Sequence, residues 1–375
     1  MESQHDRGDL MMEQQTPMPQ PMPAQSMNPM TETSTLYVGI DLGTSRCAIA
    51  SSNGARACVG SVVGWPKDAI SRKVRGNAPL FGDEALAKRL SLDVVWPLAD
   101  GNLRFPSASS EEKEKFRRAG LELMRHVRML AEPRLDQQVY AVIGAPAEAS
   151  SKSKQAIIEL ARDAGIDSVM VVSEPFSVAY GIDALDDALM IDIGAGTIDL
   201  CRLHGTLPEV EDQYTVFKAG NYVDEELAKL IKASHPEAQF TLNMVKKAKE
   251  RFSGVVESND RAVVEFPVNG KPTQLDITAE MRQAVGTLVP EILVGIQKLV
   301  ASFDPEFQHQ LRQRVFVSGG GSQIFGLRKA LEEGMEQIGG GNVFLVDEPV
   351  FAGANGSLRL ATEMPDNYWN KLRTQ

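Results

Sequence analysis

The sequence predicts an α/β protein of two similar lobes, each a mixed sheet led by a hairpin and covered by helices, with a cleft between them. Two observations carry this. VGIDLGTS at 38–45 and MIDIGAGT at 190–197 are near copies. In each, an apolar strand runs into an aspartate, glycine follows with Thr or Ser, and a second apolar run begins (47–49 and 198–203). After each copy, short apolar runs alternate with amphipathic segments of helical period, the pattern of strands wrapped by helices.

In the first half, 36–41 reads as a strand and Arg46 to Ser51 as its hairpin partner. Asn53-Gly54 is a two-residue turn signal that returns the chain as a third strand over 55–63. Residues 64–103 hold many breakers and only short apolar runs, so they are expected to form an insertion on top of the sheet. Ser109 and Glu112 stand at capping-box spacing, and Phe116, Leu123, Val127 and Leu130 follow on one helix face. A strand at 139–143, a helix near 152–164 stopped by Gly165, and a strand at 169–173 complete a β-α-β unit. Trp65 and Trp96, each before a proline, are expected to pack in the upper part of this lobe.

The second half repeats the plan. Strands are expected at 188–193, 197–203 and 214–218, helices near 222–232 and 242–252, and further strands within 261–277. A single long helix follows from about 279 to 303. Arg314 to Ser318 is a strand leading into Gly319-Gly320-Gly321 and another helix. A last strand at 342–346 and a helix near 355–363 close the fold. The organisation that results is a tail at 1–34 and a first lobe at 35–184, with its upper insertion at about 64–131. A second lobe occupies 185–350, with an upper part at about 221–285, and a segment at 351–375 returns to the first lobe.

Composition narrows the function classes. A chain of 375 residues that is 43% hydrophobic and 24% charged is expected to be a soluble protein with a large core. No apolar run long enough to span a bilayer, and no signal-peptide block, is read from it. A net charge of −11 argues against nucleic acid or an anionic membrane as a partner. Cys47, Cys58 and Cys201 have no ligand spacing and read as small apolar fillers in a reducing cytoplasm. Lys246 and Lys247 read as a solvated helix face. The tail, rich in Met, Pro and Gln, reads as disordered. It is either a partner-binding segment or an extension without a role, and its prolines disfavour a membrane-lying helix.

The repeated motif has its own chemistry. A tight turn ending an apolar strand presents backbone N–H groups to an anion, and glycine allows close approach. The hydroxyls of Thr44, Ser45 and Thr197 add donors. Asp41 and Asp192 stand beside that anion only if a cation intervenes, and hydrated Mg²⁺ held by one or two carboxylates and phosphate oxygens is the natural one. Two such hairpins, one per lobe, clamp a polyphosphate from both sides.

YVGIDLGTS, DIGAGTIDL and VFVSGGGSQIFGL resemble the two phosphate motifs and the adenosine motif of the actin superfamily, and the whole of 36–364 is similar to bacterial actins. LFGDEALAKRLSLDVVWPLADGNL, VIGAPAEAS, VVSEPFSVAYG and, loosely, GANGSLRLA carry the resemblance further. VVGWPKD and KAGNYVDEEL point to the branch of that family associated with magnetosomes. The resemblance implies an ATPase that polymerises head-to-tail into cytoplasmic filaments when ATP binds and disassembles after hydrolysis. Its implied partners are further copies of itself and organelle-associated or filament-regulating proteins.

It also implies roles, residue by residue. Glu174, before Pro175 at a helix start, positions the attacking water. Asp192 and Asp41, with Glu174, form the magnesium set. Gly43, Thr44, Ser45, Gly194, Gly196 and Thr197 contact phosphate. Gly319, Gly320 and Gly321 let the nucleotide lie against backbone, and Ile324 covers a face of the base. Lys249 and Glu250 match the helix that touches base and ribose. The chain departs from conventional actin at Ala48, where a phosphate lysine stands, and at Ala195. Asp199 stands in place of a histidine and is a candidate to help hold the water. A small-molecule kinase and a non-polymerising adaptor on the same fold are the alternatives. No second candidate base favours the kinase, and the intact Asp41, Glu174 and Asp192 oppose a dead site. With no peptide-binding domain read after residue 375, a chaperone of the Hsp70 type is not expected.

Overall fold

The computed structural model describes residues 34–104, 109–257 and 259–373. Apart from Ser34, the expected tail lies outside them. The first sheet is built from β1 (Thr35–Leu42), β2 (Arg46–Ser51) and β3 (Arg56–Gly60), an antiparallel meander, and from β9 (Gln138–Ala145) and β10 (Ser168–Ser173), added in parallel on the other side of β1. Between β3 and β9 the chain forms the upper insertion. It holds β4 (Val63–Pro66), α1 (Ala69–Arg75), β5 (Leu80–Phe81), α2 (Gly82–Ala87), β6 (Leu92–Val95), the short hairpin β7 (Leu98–Ala99) and β8 (Asn102–Leu103), and α3 (Ser110–Leu130). Ser109 caps α3 by accepting from Glu112 N, and α3 buries Leu123 and Val127 as its period requires. Helix α4 (Ser151–Asp163) joins β9 to β10, and α5 (Glu174–Gly181) leaves β10 for the second half.

The second sheet repeats the first strand for strand. β11 (Ala188–Ile193), β12 (Ile198–Leu203) and β13 (Gln213–Val216) form the meander, and β16 (Val315–Ser318) and β17 (Val343–Leu345) add in parallel beside β11. Its upper part carries α6 (Gly220–Ser234), α7 (Leu242–Phe252), the hairpin β14 (Val263–Val268) and β15 (Lys271–Asp276), and α8 (Thr278–Gly286). α9 (Leu288–Ala301), α10 (Gln308–Gln313) and α11 (Leu327–Met335) pack beside the sheet. Each sheet closes its own apolar core, one around Ile40, Ile143 and Leu123, the other around Ile191, Val317 and Ile296.

Five expectations change. The strand expected over 55–63 stops at Gly60, and Val63 starts a separate strand that pairs with β5 and β6. The turn before β3 takes three residues, 52–54, because Ser51 N donates to Ala55 O and Gly54 absorbs φ +93°. The single helix of 279–303 is two, divided at Thr287. The pair 278–301 does satisfy length and hydropathy for a membrane span, unlike the sequence reading, but Met281, Val285, Ile292 and Ile296 are core residues of the second lobe. Trp96 is 46% exposed rather than packed, whereas Trp65 lies under the Arg118 guanidinium.

The chain passes between the sheets twice, through α5 and again into α12 (Ala352–Glu363). These two helices cross at small residues. A Cβ on Gly356 would stand 1.8 Å from the carbonyl oxygen of Ser177, and the Ser357 hydroxyl donates to that of Ser177 at 3.1 Å. A last helix, α13 (Asp366–Arg373), lays the fully buried Trp369 between Tyr37 and Tyr140 of the first sheet.

Candidate functional site

The two near-copies form matching strand–turn–strand units. In the first, Asp41 pairs with Ala48 across β1 and β2, and Gly43 to Ser45 make the turn. That turn is anchored from β3's end: Ser61 Oγ donates to Gly43 O at 2.6 Å and Ser61 N to Ser45 O at 2.9 Å. Thr44 Oγ1 accepts from Gly101 N of the β7–β8 hairpin at 2.7 Å. In the second unit Asp192 pairs with Asp199, and Gly194 N closes the turn onto Thr197 O at 2.9 Å. The carbonyls of Gly194 and Ala195 accept from Gly220 N (3.2 Å) and Asn221 N (2.7 Å) at the start of α6. Much of the turns' acceptor capacity is thus satisfied within the protein, as an anion site built from N–H groups requires.

Glu174 reaches the same place from β10. Gly144 lies in register between Asp41 and Val172, and Glu174 folds over it: a Cβ on Gly144 would stand 3.1 Å from Glu174 Cγ. Glu174 is buried, and its Oε1 has no hydrogen-bond partner. Burial raises the pKa of Asp41 to about 7. Burial, then the charges of Asp41 and Asp199, raises that of Asp192 to about 8. Glu174 is raised well above the ordinary range by burial and then by Asp41, Asp199 and Asp192. Crowded buried carboxylates of this kind call for positive charge. Among the described residues no three acidic, His or Cys side chains are arranged to ligate an ion directly. Direct ligation by Asp41, Asp192 and Glu174 together therefore has no support, whereas a hydrated cation held through one or two of them fits.

With the exception of Asp199, the residues singled out from the sequence line one cavity of about 400 Å³ between the sheets: Asp41, Gly43, Thr44, Ser45, Glu174, Asp192, Gly194, Gly196, Thr197, Lys249, Glu250, Gly319, Gly320, Gly321 and Ile324. Three of these positions prove to be shaped by the fold itself. Gly319 has φ +77° and its missing Cβ would lie 2.5 Å from Ile193 O, and Gly321 is pressed on the Ile193 side chain. Only Gly320 of the triple glycine has open space before it. The Lys249 ammonium is committed to Asp224 at 2.8 Å and Gly220 O at 2.6 Å, so it ties α7 to α6. Glu250 pairs with Arg46 of the opposite lobe at 3.0 Å.

Sequence reasoning missed other members. Arg46, directly after the first motif, and Lys246, three residues before Lys249, line the cleft although neither was singled out, and Ser61 anchors the first turn. Lys246, read as a solvated face, turns into the cavity and donates to Ser45 Oγ, while Lys247 stays exposed. Cys58 is not a buried filler: it is exposed on the edge strand β3 and lines the cavity. Asp199 is absent from the cavity wall, and its Oδ1 accepts from Ala147 N at 2.8 Å and Thr215 Oγ1 at 2.6 Å, bracing one lobe against the other.

A strand–turn–strand unit duplicated on two like sheets, with acidic groups facing a common cavity, defines the actin type of protein, and comparisons place the chain within it. The model of the MreB/Mbl protein family matches residues 35–367, and the chain belongs to that family. It is 43% identical over 337 residues to the actin-like protein MamK of Paramagnetospirillum magneticum, covering 90% of this chain and 95% of that protein. Among solved structures it is similar to a MamK double helical filament, with 42% identity and a TM-score of 0.84 over 88% of this chain and 100% of the other. A non-polymerising mutant of MamK bound to AMPPNP, also 42% identical, covers 88% of this chain and 99% of its own and gives 0.66.

Proposed function

We propose that the protein is a cytoskeletal ATPase. It polymerises head-to-tail into cytoplasmic filaments on binding Mg-ATP, disassembles after hydrolysis, and organises magnetosomes. The observation that carries this is the pair of aspartates, Asp41 and Asp192, at corresponding strand ends of two duplicated sheets, facing one cavity with Glu174 beside them. The relatives' filament and their AMPPNP complex support assembly and nucleotide binding. Association with magnetosomes rests on the resemblance of the motifs.

In this reading Gly43 to Ser45 and Gly194 to Thr197 would hold the phosphates, and Asp41 and Asp192 would hold a hydrated magnesium ion. When bound, the ion neutralises charge on the phosphates. Glu174 fixes the attacking water: its buried Oε1 has no hydrogen-bond partner within the protein, and the helix start at Pro175 holds its backbone. Hydrolysis alters the contacts joining the lobes, and head-to-tail interfaces respond to such rotation.

Sedimentation and negative-stain imaging in Mg-ATP, Mg-ADP and no nucleotide test this, beside Glu174→Ala. Filaments that form with ATP and disassemble in the wild type should persist in the variant, with turnover reduced roughly 10²–10⁴-fold. A protein that hydrolyses ATP yet stays monomeric under all conditions would sink the filament reading and favour a small-molecule kinase.

A further inference from the structure

Three basic side chains line the cavity: Arg46, Lys246 and Lys249. Two are already spent, Arg46 on Glu250 and Lys249 on Asp224 and the Gly220 carbonyl. Lys246 differs. Among the ion pairs of the described residues it has none, and its ammonium contacts only the neutral hydroxyl of Ser45. Ser45 belongs to the turn of the opposite lobe that is shaped to face an anion. Opposite Asp41 in that hairpin stands Ala48, and the cation that β2 does bring to the cavity, Arg46, is the one paired with Glu250. A half-buried ammonium with a hydroxyl for its partner is incompletely compensated, and a phosphate oxygen is the group that would complete it. Sequence neighbours give the contrast: Lys247, one residue on, is solvent-exposed and outside the cavity.

We infer that Lys246 is the phosphate-binding cation of this cleft, delivered from α7 of the second lobe to the turn of the first. The inference rests on the nucleotide reading above and adds a function for a residue that the motifs do not mark. It makes polyphosphate an electrostatic bridge between lobes: anion at the 43–45 turn, cation from α7. A nucleoside without phosphate would bind the cleft without engaging Lys246.

Calorimetry on the full chain tests this, with Mg-ADP as one probe and adenosine, added alone and as a competitor, as the other. Lys246→Gln should weaken Mg-ADP binding roughly ten- to hundredfold, the range of one charge-assisted hydrogen bond, and leave adenosine unchanged. Lys246→Arg should keep most of the affinity, which guards against a folding defect in the neutral variant, and Lys247→Gln should match the wild type. Unchanged Mg-ADP affinity in Lys246→Gln would overturn the inference and leave the Ser45 contact as a structural latch. An equal loss for adenosine would overturn it too, moving Lys246 to the base or ribose. If the wild type bound neither probe, the nucleotide reading itself would fall, an outcome distinct from both.

Discussion

Asp41 and Asp192 carry a pH signature. Their folded-state pKa values, about 7 and about 8, stand above the ordinary 3.8. Between those limits the folded chain holds more protons than the unfolded one, so the chain alone loses stability as pH rises from about 4 to about 8 and levels off above. Melting temperature should therefore be higher at pH 5.5 than at pH 8, and Asp192→Asn should flatten the difference. A variant as pH-sensitive as the wild type would assign the slope to other groups. Gly144 makes a second test at this scale. An alanine there meets Glu174 Cγ at 3.1 Å and must push it aside. Gly144→Ala should slow hydrolysis by up to about 10²-fold, the cost of a small misplacement, with nucleotide affinity nearly unchanged. Parallel losses in both would place the effect in the fold. The aspartates and Glu174 were legible because they sit in motifs. Gly144 lies in a resembling segment too but was not singled out, because its role comes from register between β1, β9 and β10.

At the scale of elements, the sheets were legible and several helices were not. β1, β2, β11 and β12 announce themselves by apolar runs ending in Asp and Gly. Helix α13 is short and polar over most of its surface, and its apolar face is brief: the fully buried Trp369 with Leu372 beside it. Trp369 packs on Tyr37 and Tyr140 and donates from Nε1 to Ala361 O at 3.2 Å. Trp369→Ala should cost about 3–5 kcal/mol in denaturant unfolding, the range for emptying a core site of this size. A loss below about 1 kcal/mol would mean that α13 is peripheral to the fold. The break between α8 and α9 was hidden for the opposite reason. Gly286 and Pro290 flank the break, but the apolar period continues on both sides of it, and that continuity reads as one helix. The brace formed by Asp199 joins two elements distant in sequence, which one-dimensional spacing does not record.

For the whole molecule, duplication was the legible feature, and it explains why the residues singled out from motifs, Asp199 apart, fall in one cavity. What the duplication hid is the traffic between halves: Arg46 to Glu250, Lys246 to Ser45, and α5 against α12. The exposed Arg46–Glu250 pair adds only roughly 0–1 kcal/mol by itself. The α5–α12 crossing matters in another way. Both covalent passages between the sheets run through this one tight contact, so the halves behave as a pair of tongs whose rivet is the Ser177–Gly356 approach. The turns and α7 are the jaws, set at a distance from the rivet. A rotation too small to disturb packing at the rivet therefore becomes a larger displacement at the jaws and at the outer rims beyond them. Gripping one small anion between the jaws can in this way reset the spacing of surfaces that never touch it.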